Sequence, residues 1–492
     1  MPAAKAVYVC QVCGQTAPKW QGRCHGCGSW NSFTPAGEPA ADAPAVRSSR
    51  KLMQALKEPR STPALRSLAE CVGTVEPRWP TGLAELDRVL GGGVVPGSVI
   101  LLGGEPGIGK STLLLQAGER LARQGHTVLY VAGEESAAQI GGRAERIGVD
   151  ADHFYLLTEN SLSDVFAAVG RLHPDLVLVD SLQTVFDPEV DAPPGSLAQV
   201  RQVALDFVTL AKEDGARVGS KGGDRSGSGA GGAGGAVGAG DGGPAVVLVG
   251  HVTKSGLLAG PKVVEHIVDV VLSFEGEKRS ALRLLRAAKN RFGSTQEVGI
   301  FQMGEHGLDP VADPSQTFLG ERPVGASGSV VLAAMEGHRP VMVEVQALVT
   351  PAPFGGTPRR LVTGVDPARA GMILAVLEKR AGLNLATMEV YVNVAGGILI
   401  DEPAADLAIA LAVVSSFRTI PPPADLAVAG EIGLTGEVRS INLPERRVAE
   451  AVRAGFRRLL LPAGNVRRLP LRADLEVEAV GRLEEAMCWV ER

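Results

Sequence analysis

Between about Thr81 and Phe301 the chain alternates short apolar runs with stretches whose apolar residues return every three to four positions. Residues 98–103, 128–132, 176–179 and 245–250 fit buried strands, and residues 111–124, 162–172 and 197–212 fit helices. Such alternation predicts a parallel sheet covered by helices. A second alternation begins beyond about Pro310, with strands expected at 329–335, 341–349, 389–394 and 426–429 and helices at 367–381, 404–416 and 444–454. It predicts a separate α/β domain. Residues 36–65 are rich in Ala, Pro, Glu, Arg and Ser without a sustained period, and read as a linker behind a small N-terminal element.

Composition refines this outline. A chain of 492 residues has room for two large domains plus minor elements, and aromatic residues make up only 4%, so the cores must be built from Val, Leu, Ala and Ile. Of the 62 glycines, a large share falls in a Gly/Ser/Ala tract at 219–243. That tract cannot bury enough apolar surface to offset the entropy of ordering it, and the strand-helix alternation resumes directly behind it. It is expected to be a disordered surface insertion and not a domain boundary. A net charge of -5, from 49 basic and 54 acidic residues, excludes a uniformly basic nucleic-acid coat, so any DNA contact must be local. The longest nearly apolar run, 407–414, is far shorter than the roughly 20 residues of a membrane span, and residues 1–8 lack a signal-peptide core. A cytoplasmic location without membrane partners is expected.

The strongest chemical signal is Gly104-Glu105-Pro106-Gly107-Ile108-Gly109-Lys110-Ser111, which follows an apolar strand and opens a helix near Thr112. Glycines let such a loop wrap so that backbone N–H groups face phosphates, Lys110 can reach the terminal phosphates of ATP, and the Ser111 hydroxyl can ligate Mg²⁺. The run 176–179 ends in Asp180, where a buried parallel strand would present a carboxylate to the same Mg²⁺. The strand at 128–132, the next after the phosphate loop, runs into Glu134 and Glu135; either can activate the attacking water, with Glu134 favoured by its place beside the strand end. At the N-terminus, Cys10-x2-Cys13 and Cys24-x2-Cys27 offer four thiolates for one tetrahedral Zn²⁺. Their segment, 1–35, is too short to bury its own core, so the metal would supply its folding energy.

Lys289-Asn290-Arg291-Phe292-Gly293, Gly250-His251-Val252-Thr253-Lys254 and the phosphate loop together resemble the bacterial RadA (Sms) DNA repair proteins, over nearly the whole chain. The resemblance implies a RecA-like ATPase domain at 66–305. It implies that Lys289 and Arg291 are fingers set against a neighbour's ATP, and that His251 senses the γ-phosphate ahead of a DNA-facing loop at 254–262. Two cations two residues apart on an extended segment do face one way. It also implies a homo-oligomeric ring, a hexamer, acting on single-stranded DNA and recombination intermediates beside a RecA-type recombinase.

Further on, Ala395-Gly396-Gly397 with Glu402-Pro403-Ala404-Ala405-Asp406, and Gly430 to Val438, resemble the proteolytic domain of Lon, most closely over 388–492 of a domain spanning 306–492. Lon proteases use a Ser activated by a Lys. Here the nucleophile position aligns with Ala404 and the lysine position falls near Glu445, so the domain is expected to serve oligomerisation and DNA binding. Arg439, Arg446, Arg447, Arg453, Arg457, Arg458, Arg467 and Arg468 are expected to line a positive ring surface. The fold class is therefore α/β: a four-cysteine zinc element, a RecA-like parallel-sheet domain and a Lon-protease-like domain. The rival readings are an ATP-dependent Lon-like protease and an ATP-switched DNA-binding adaptor.

Overall fold

The computed structural model describes residues 8–10, 16–17, 19–25, 33–35, 76–149, 152–212, 243–251, 262–276, 281–353, 357–470 and 475–490. The linker at 36–65, Cys13, Cys27, the glycine tract up to residue 242 and the loop at 252–261 lie outside the described residues, as do the side chains of Cys10 and His251. Near the N-terminus, strand β1 (Tyr8–Cys10) pairs antiparallel with β2 (Thr16–Ala17) and with β3 (Phe33–Pro35), and Cys24 is buried. Residues 76–492 form a separate compact unit.

In that larger unit the sequence builds a sheet of nine strands: β4 (Val99–Gly104), β5 (Val128–Ala132), β6 (Phe154–Leu157), β7 (Leu176–Asp180), β8 (Ala245–His251), β9 (Val270–Glu275), β10 (Leu282–Asn290), β11 (Val298–Gly304) and β12 (Gly307–Pro310). Their spatial order is β12-β11-β10-β9-β4-β8-β7-β5-β6. Strands β6 through β9 in that row run parallel, and β10, β11 and β12 extend the row antiparallel. Burial on both faces explains why the central strands read as unbroken apolar runs: every residue of β4 and β5 is buried. Helices α1 (Ala84–Leu90), α2 (Lys110–Arg123), α3 (Ala137–Ile147), α4 (Leu162–Leu172), α5 (Leu197–Lys212) and α6 (Lys262–Ile267) supply the covering layers. The hairpin from β11 to β12, in register from Phe301↔Pro310 to Gly304↔Gly307, carries this sheet five residues past the boundary expected at 305.

A second sheet follows helix α7 (Pro314–Leu319). Its strands are β13 (Ser329–Glu336), β14 (Arg339–Pro351), β15 (Arg360–Thr363), β16 (Met388–Val394), β17 (Leu426–Val428), β20 (Arg458–Pro462) and β21 (Glu476–Val480), in the order β15-β16-β14-β13-β17-β20-β21. Between β17 and β20 in sequence, β18 (Glu431–Ile432) and β19 (Val438–Arg439) form a small antiparallel ribbon. Helices α8 (Pro367–Lys379), α9 (Asp406–Arg418) and α10 (Pro444–Arg453) complete the domain. In α9 all residues from Asp406 to Ser415 are buried, so the nearly apolar run at 407–414 is a core helix. It starts two residues later than expected, because Pro403 begins a separate 3₁₀ turn, Pro403–Ala405.

The two sheets share a core. Val298 and Ile300 of β11 and Val311 pack in the same apolar cluster as Val331, Val343 and Leu374 of the second domain. Buried Glu85 of α1 accepts the amide of Ile300 at 2.9 Å and pairs with buried Arg339 of β14. Arg286 of β10 bridges Glu275 and Glu336 of β13.

Candidate functional site

The phosphate loop joins β4 to α2 at the C-terminal edge of the parallel strands, where the chain leaves β4 and returns in β5 with two strands, β8 and β7, between them. Gly107 and Gly109 take φ of 79° and 119°, and Gly109 is the N-cap of α2. Lys110 is buried, and its Nζ donates to the carbonyls of Gly104 at 2.8 Å and Glu105 at 2.9 Å. Burial lowers its pKa from the ordinary lysine value, and the charges of Asp180 and Glu134 oppose the shift. Pro106, Gly107, Gly109, Lys110, Ser111 and Thr112 line one side of a cavity of about 470 Å³. Ile108 is buried beneath, its carbonyl accepting from Arg283 Nε at 3.1 Å.

Asp180 closes the opposite wall from the end of β7, with a cis peptide linking it to Ser181. Its Oδ2 accepts from Tyr130 Oη at 2.7 Å. Burial and the neighbouring Asp180 push the Tyr130 hydroxyl far up, so it stays a donor. Gly133 N donates to Asp180 O at 2.9 Å, which ties the end of β5 to β7. Glu134 and Glu135 both reach the cavity, but to different partners. Glu134 Oε1 accepts from Ser181 Oγ at 2.5 Å, whereas Glu135 Oε1 accepts from Arg143 Nη2 of α3 at 2.6 Å. His251 ends β8, its backbone in register with Gly104 at the opening of the loop.

The structure thus brings together the phosphate loop, Asp180, Glu134 and Glu135, and sets His251 on the adjoining strand. It does not bring Lys289 and Arg291 there. Lys289 pairs with Val271 and Asn290 with Val270, level with Leu101 and Ile100 near the start of β4, about 10–13 Å along the strand from Gly104. Lys289 Nζ donates to the carbonyls of Glu265 at 3.0 Å, His266 at 3.0 Å and Val268 at 2.6 Å, at the C-terminal end of α6. Arg291 Nη1 lies 3.1 Å from buried Asp269, which also holds Lys212 and the amide of Val99. The residues between and after the two cations are scaffold: Asn290 Nδ2 donates to Val89 O at 3.0 Å, and the Phe292 carbonyl accepts from Arg78 at 2.7 Å.

Tyr130, Arg143, Arg146, Arg283 and Met303 also line the cavity and were not singled out by sequence. Of these only Arg143 left a signal, since it recurs with Ile140 and Ile147 on one face of α3. Arg283 and Met303 come from the antiparallel extension, which no sequence motif marks.

In the second domain Ala404 is buried in the 3₁₀ turn, its carbonyl accepting from Gly430 N at 2.9 Å, and Glu445 is exposed in the first turn of α10. The expected arginine surface needs correction. Arg447 is fully buried and forks onto Glu402 at 3.0 and 2.6 Å, since its helix faces β13 and β14. Arg453 is held by Asp313 and Glu450, Arg439 by Glu437, and Arg458 faces Asp425 and Glu476. Acids thus pair with four of the eight arginines, Arg439, Arg447, Arg453 and Arg458.

Fold and site define a RecA-like P-loop ATPase fused to a Lon-type domain. Residues 79–182 match the KaiC ATPase family, residues 377–489 the Lon protease (S16) C-terminal proteolytic domain, and residues 8–35 the rubredoxin metal binding domain. The chain is 45% identical over 487 residues to DNA repair protein RadA of Halalkalibacterium halodurans, and 44% identical over 490 residues to that of Bacillus subtilis, covering 99% of each chain in both cases. It belongs to the RadA family of DNA repair proteins. Among solved structures, a KaiC-like protein of Pyrococcus horikoshii aligns over 48% of this chain and 100% of its own, with 18% identity and a TM-score of 0.36. Among the described residues no helix is long and apolar enough to cross a membrane.

Proposed function

We propose that this RadA-family ATPase is a motor that assembles as a ring, a hexamer, hydrolyses ATP between subunits and moves along single-stranded DNA to process recombination intermediates beside a RecA-type recombinase. One observation supports the reading: Lys289 and Arg291 lie towards the opposite end of the strands from their own phosphate loop, a position from which fingers would serve a neighbour's ATP and not their own. Within one subunit Lys110 and the loop amides hold the phosphates, Glu134 orients the attacking water and accepts its proton, and His251 reads the γ-phosphate from the adjoining strand. Ser111 and Asp180 supply the hard oxygen donors that suit Mg²⁺, whose charge, when bound, offsets that of the phosphates. Cys10, Cys13, Cys24 and Cys27 are the thiolates that suit Zn²⁺.

Peptide cleavage by a Ser–Lys pair is not part of the reading, because Ala404 carries no hydroxyl and Glu445 no amine. The test is ATPase rate against single-stranded DNA concentration, with Lys289→Ala or Arg291→Ala subunits mixed into wild type. Stimulation by DNA and poisoning beyond simple dilution are expected. A rate indifferent to DNA, or a linear loss on mixing, refutes the motor.

A further inference from the structure

Tyr130 is the only residue of β5 whose side chain carries a polar atom. It is 1% exposed and belongs to an apolar layer shared with α2, among Leu102, Leu114, Leu121 and Leu178. Phe154 of β6 stacks on its ring, with centroids 6.2 Å apart and planes inclined at 29°. Helix α2 closes down on Phe154 in turn, because Gly118 leaves the room: a methyl there would come within 2.7 Å of Phe154 Cε2. The tyrosine ring is therefore fixed by packing alone. Phenylalanine would fill the same space without a hydroxyl that must find a partner inside a buried layer.

That partner is Asp180. In the parallel ladder between β5 and β7, Tyr130 lies opposite Leu178 and Ala132 opposite Asp180, so Tyr130 and Asp180 are diagonal neighbours within reach of a long side chain. Tyr130 Oη donates to Asp180 Oδ2 at 2.7 Å, and Gly133 N donates to Asp180 O at 2.9 Å. Strand β5 and the residue that follows it thus hold both the carboxylate and the backbone of Asp180. Tyr130, Asp180 and Ser111 all line the one cavity. A hydrogen bond to one oxygen sets the plane of a carboxylate, and Mg²⁺, which demands near-ideal octahedral geometry, is sensitive to how its oxygen donors are oriented.

We propose that Tyr130 is a positioning residue for the metal site: its hydroxyl takes up Asp180 Oδ2 and keeps the carboxylate in one orientation towards Mg²⁺. The inference rests on the ATPase reading above, in which Asp180 and Ser111 hold that cation. Tyr130 then acts on the nucleotide only through Asp180, and its contribution is felt only when the metal is present.

The test is a Mg²⁺ titration of the full chain, reading the affinity for a fluorescent, slowly hydrolysed ATP analogue. Tyr130→Phe removes one oxygen and keeps the ring. Its analogue affinity in EDTA should match that of wild type, because the phosphate loop is untouched. The Mg²⁺ concentration that half-completes the tightening of analogue binding should rise about 10-fold, the lower end of what loss of an outer-shell partner costs a metal site. Bound Mn²⁺, followed by electron paramagnetic resonance with the analogue in place, should show the same shift without any turnover. Asp180→Asn serves if Tyr130→Phe fails to fold: Tyr130 would pin the amide oxygen and turn the NH2 group to the cation, so Mg²⁺ should no longer tighten analogue binding. An unchanged Mg²⁺ half-point in Tyr130→Phe, an equal weakening with and without Mg²⁺, or a wild-type Mg²⁺ response in Asp180→Asn each overturns the role of Tyr130. ATP hydrolysis that survives Lys110→Ala overturns the ATPase reading instead, so the two failures are distinct.

Discussion

Replacing Gly133 by Ala tests how tightly the water-activating segment is held. A methyl there would fall on the Thr184 hydroxyl and lie 2.6 Å from Thr184 Cβ, about 0.8 Å short of ordinary contact. Rotating Thr184 relieves the first clash but breaks its bond to Ser181 O, 2.7 Å long and worth about 1 kcal/mol. No rotation moves the Cβ, so the backbone at Gly133 or Thr184 must give way. Overpacking of this kind costs about 1–3 kcal/mol. Glu134 follows directly in the chain, and a misplacement of about 1 Å at a reacting group lowers turnover on the order of 100-fold. Gly133→Ala should therefore depress kcat 10- to 100-fold by this order-of-magnitude reasoning, with analogue affinity near wild type because the phosphate loop is untouched. Steady-state ATPase kinetics and fluorescence titration measure both. A kcat within threefold of wild type would show that Thr184 does not position Glu134.

Three further outcomes follow from other parts of the molecule. Lys110→Ala should abolish ATP hydrolysis while leaving single-stranded DNA binding in place, checked by phosphate release and by fluorescence anisotropy. Arg339→Ala should destabilise the fold by about 3–5 kcal/mol in urea, because it strands the buried Glu85 carboxylate, whereas Glu85→Gln with Arg339→Met should restore much of the loss. Hydrogen bonds from Thr435 and from its own amide, with Arg439 beside it, hold Glu437 at about 2. A depressed carboxyl contributes stability above its unfolded value of about 4.5, and that contribution is lost as pH falls towards 2, so any melting difference between wild type and Glu437→Gln should vanish across that window.

The parallel core was legible because burial on both faces forces continuous apolar runs, and residues 128–132, 162–172 and 197–212 lie where the pattern put them. The phosphate loop was equally legible, since its glycines and lysine are needed together at one spacing. Strands β10 to β12 were not. In β10 the buried Arg283 and the half-buried Arg286 break both the apolar run and the alternation, and β12 is only four residues long. Hence the positions of Arg283 and Met303 over the phosphate loop stayed invisible. The arginine count in the second domain misled for a related reason: charge density along a sequence does not reveal that Arg447 turns inward to Glu402.

The shared core has a practical meaning for dividing the protein. An ATPase fragment ending at residue 305 would lose strand β12, uncover Val298 and Ile300, and leave Glu85 without Arg339. The complementary fragment would keep Arg339 without Glu85 and the Val298 carbonyl. Neither half carries a closed apolar surface, so the nucleotide site and the Lon-type domain stand or fall as one folding unit in residues 76–492.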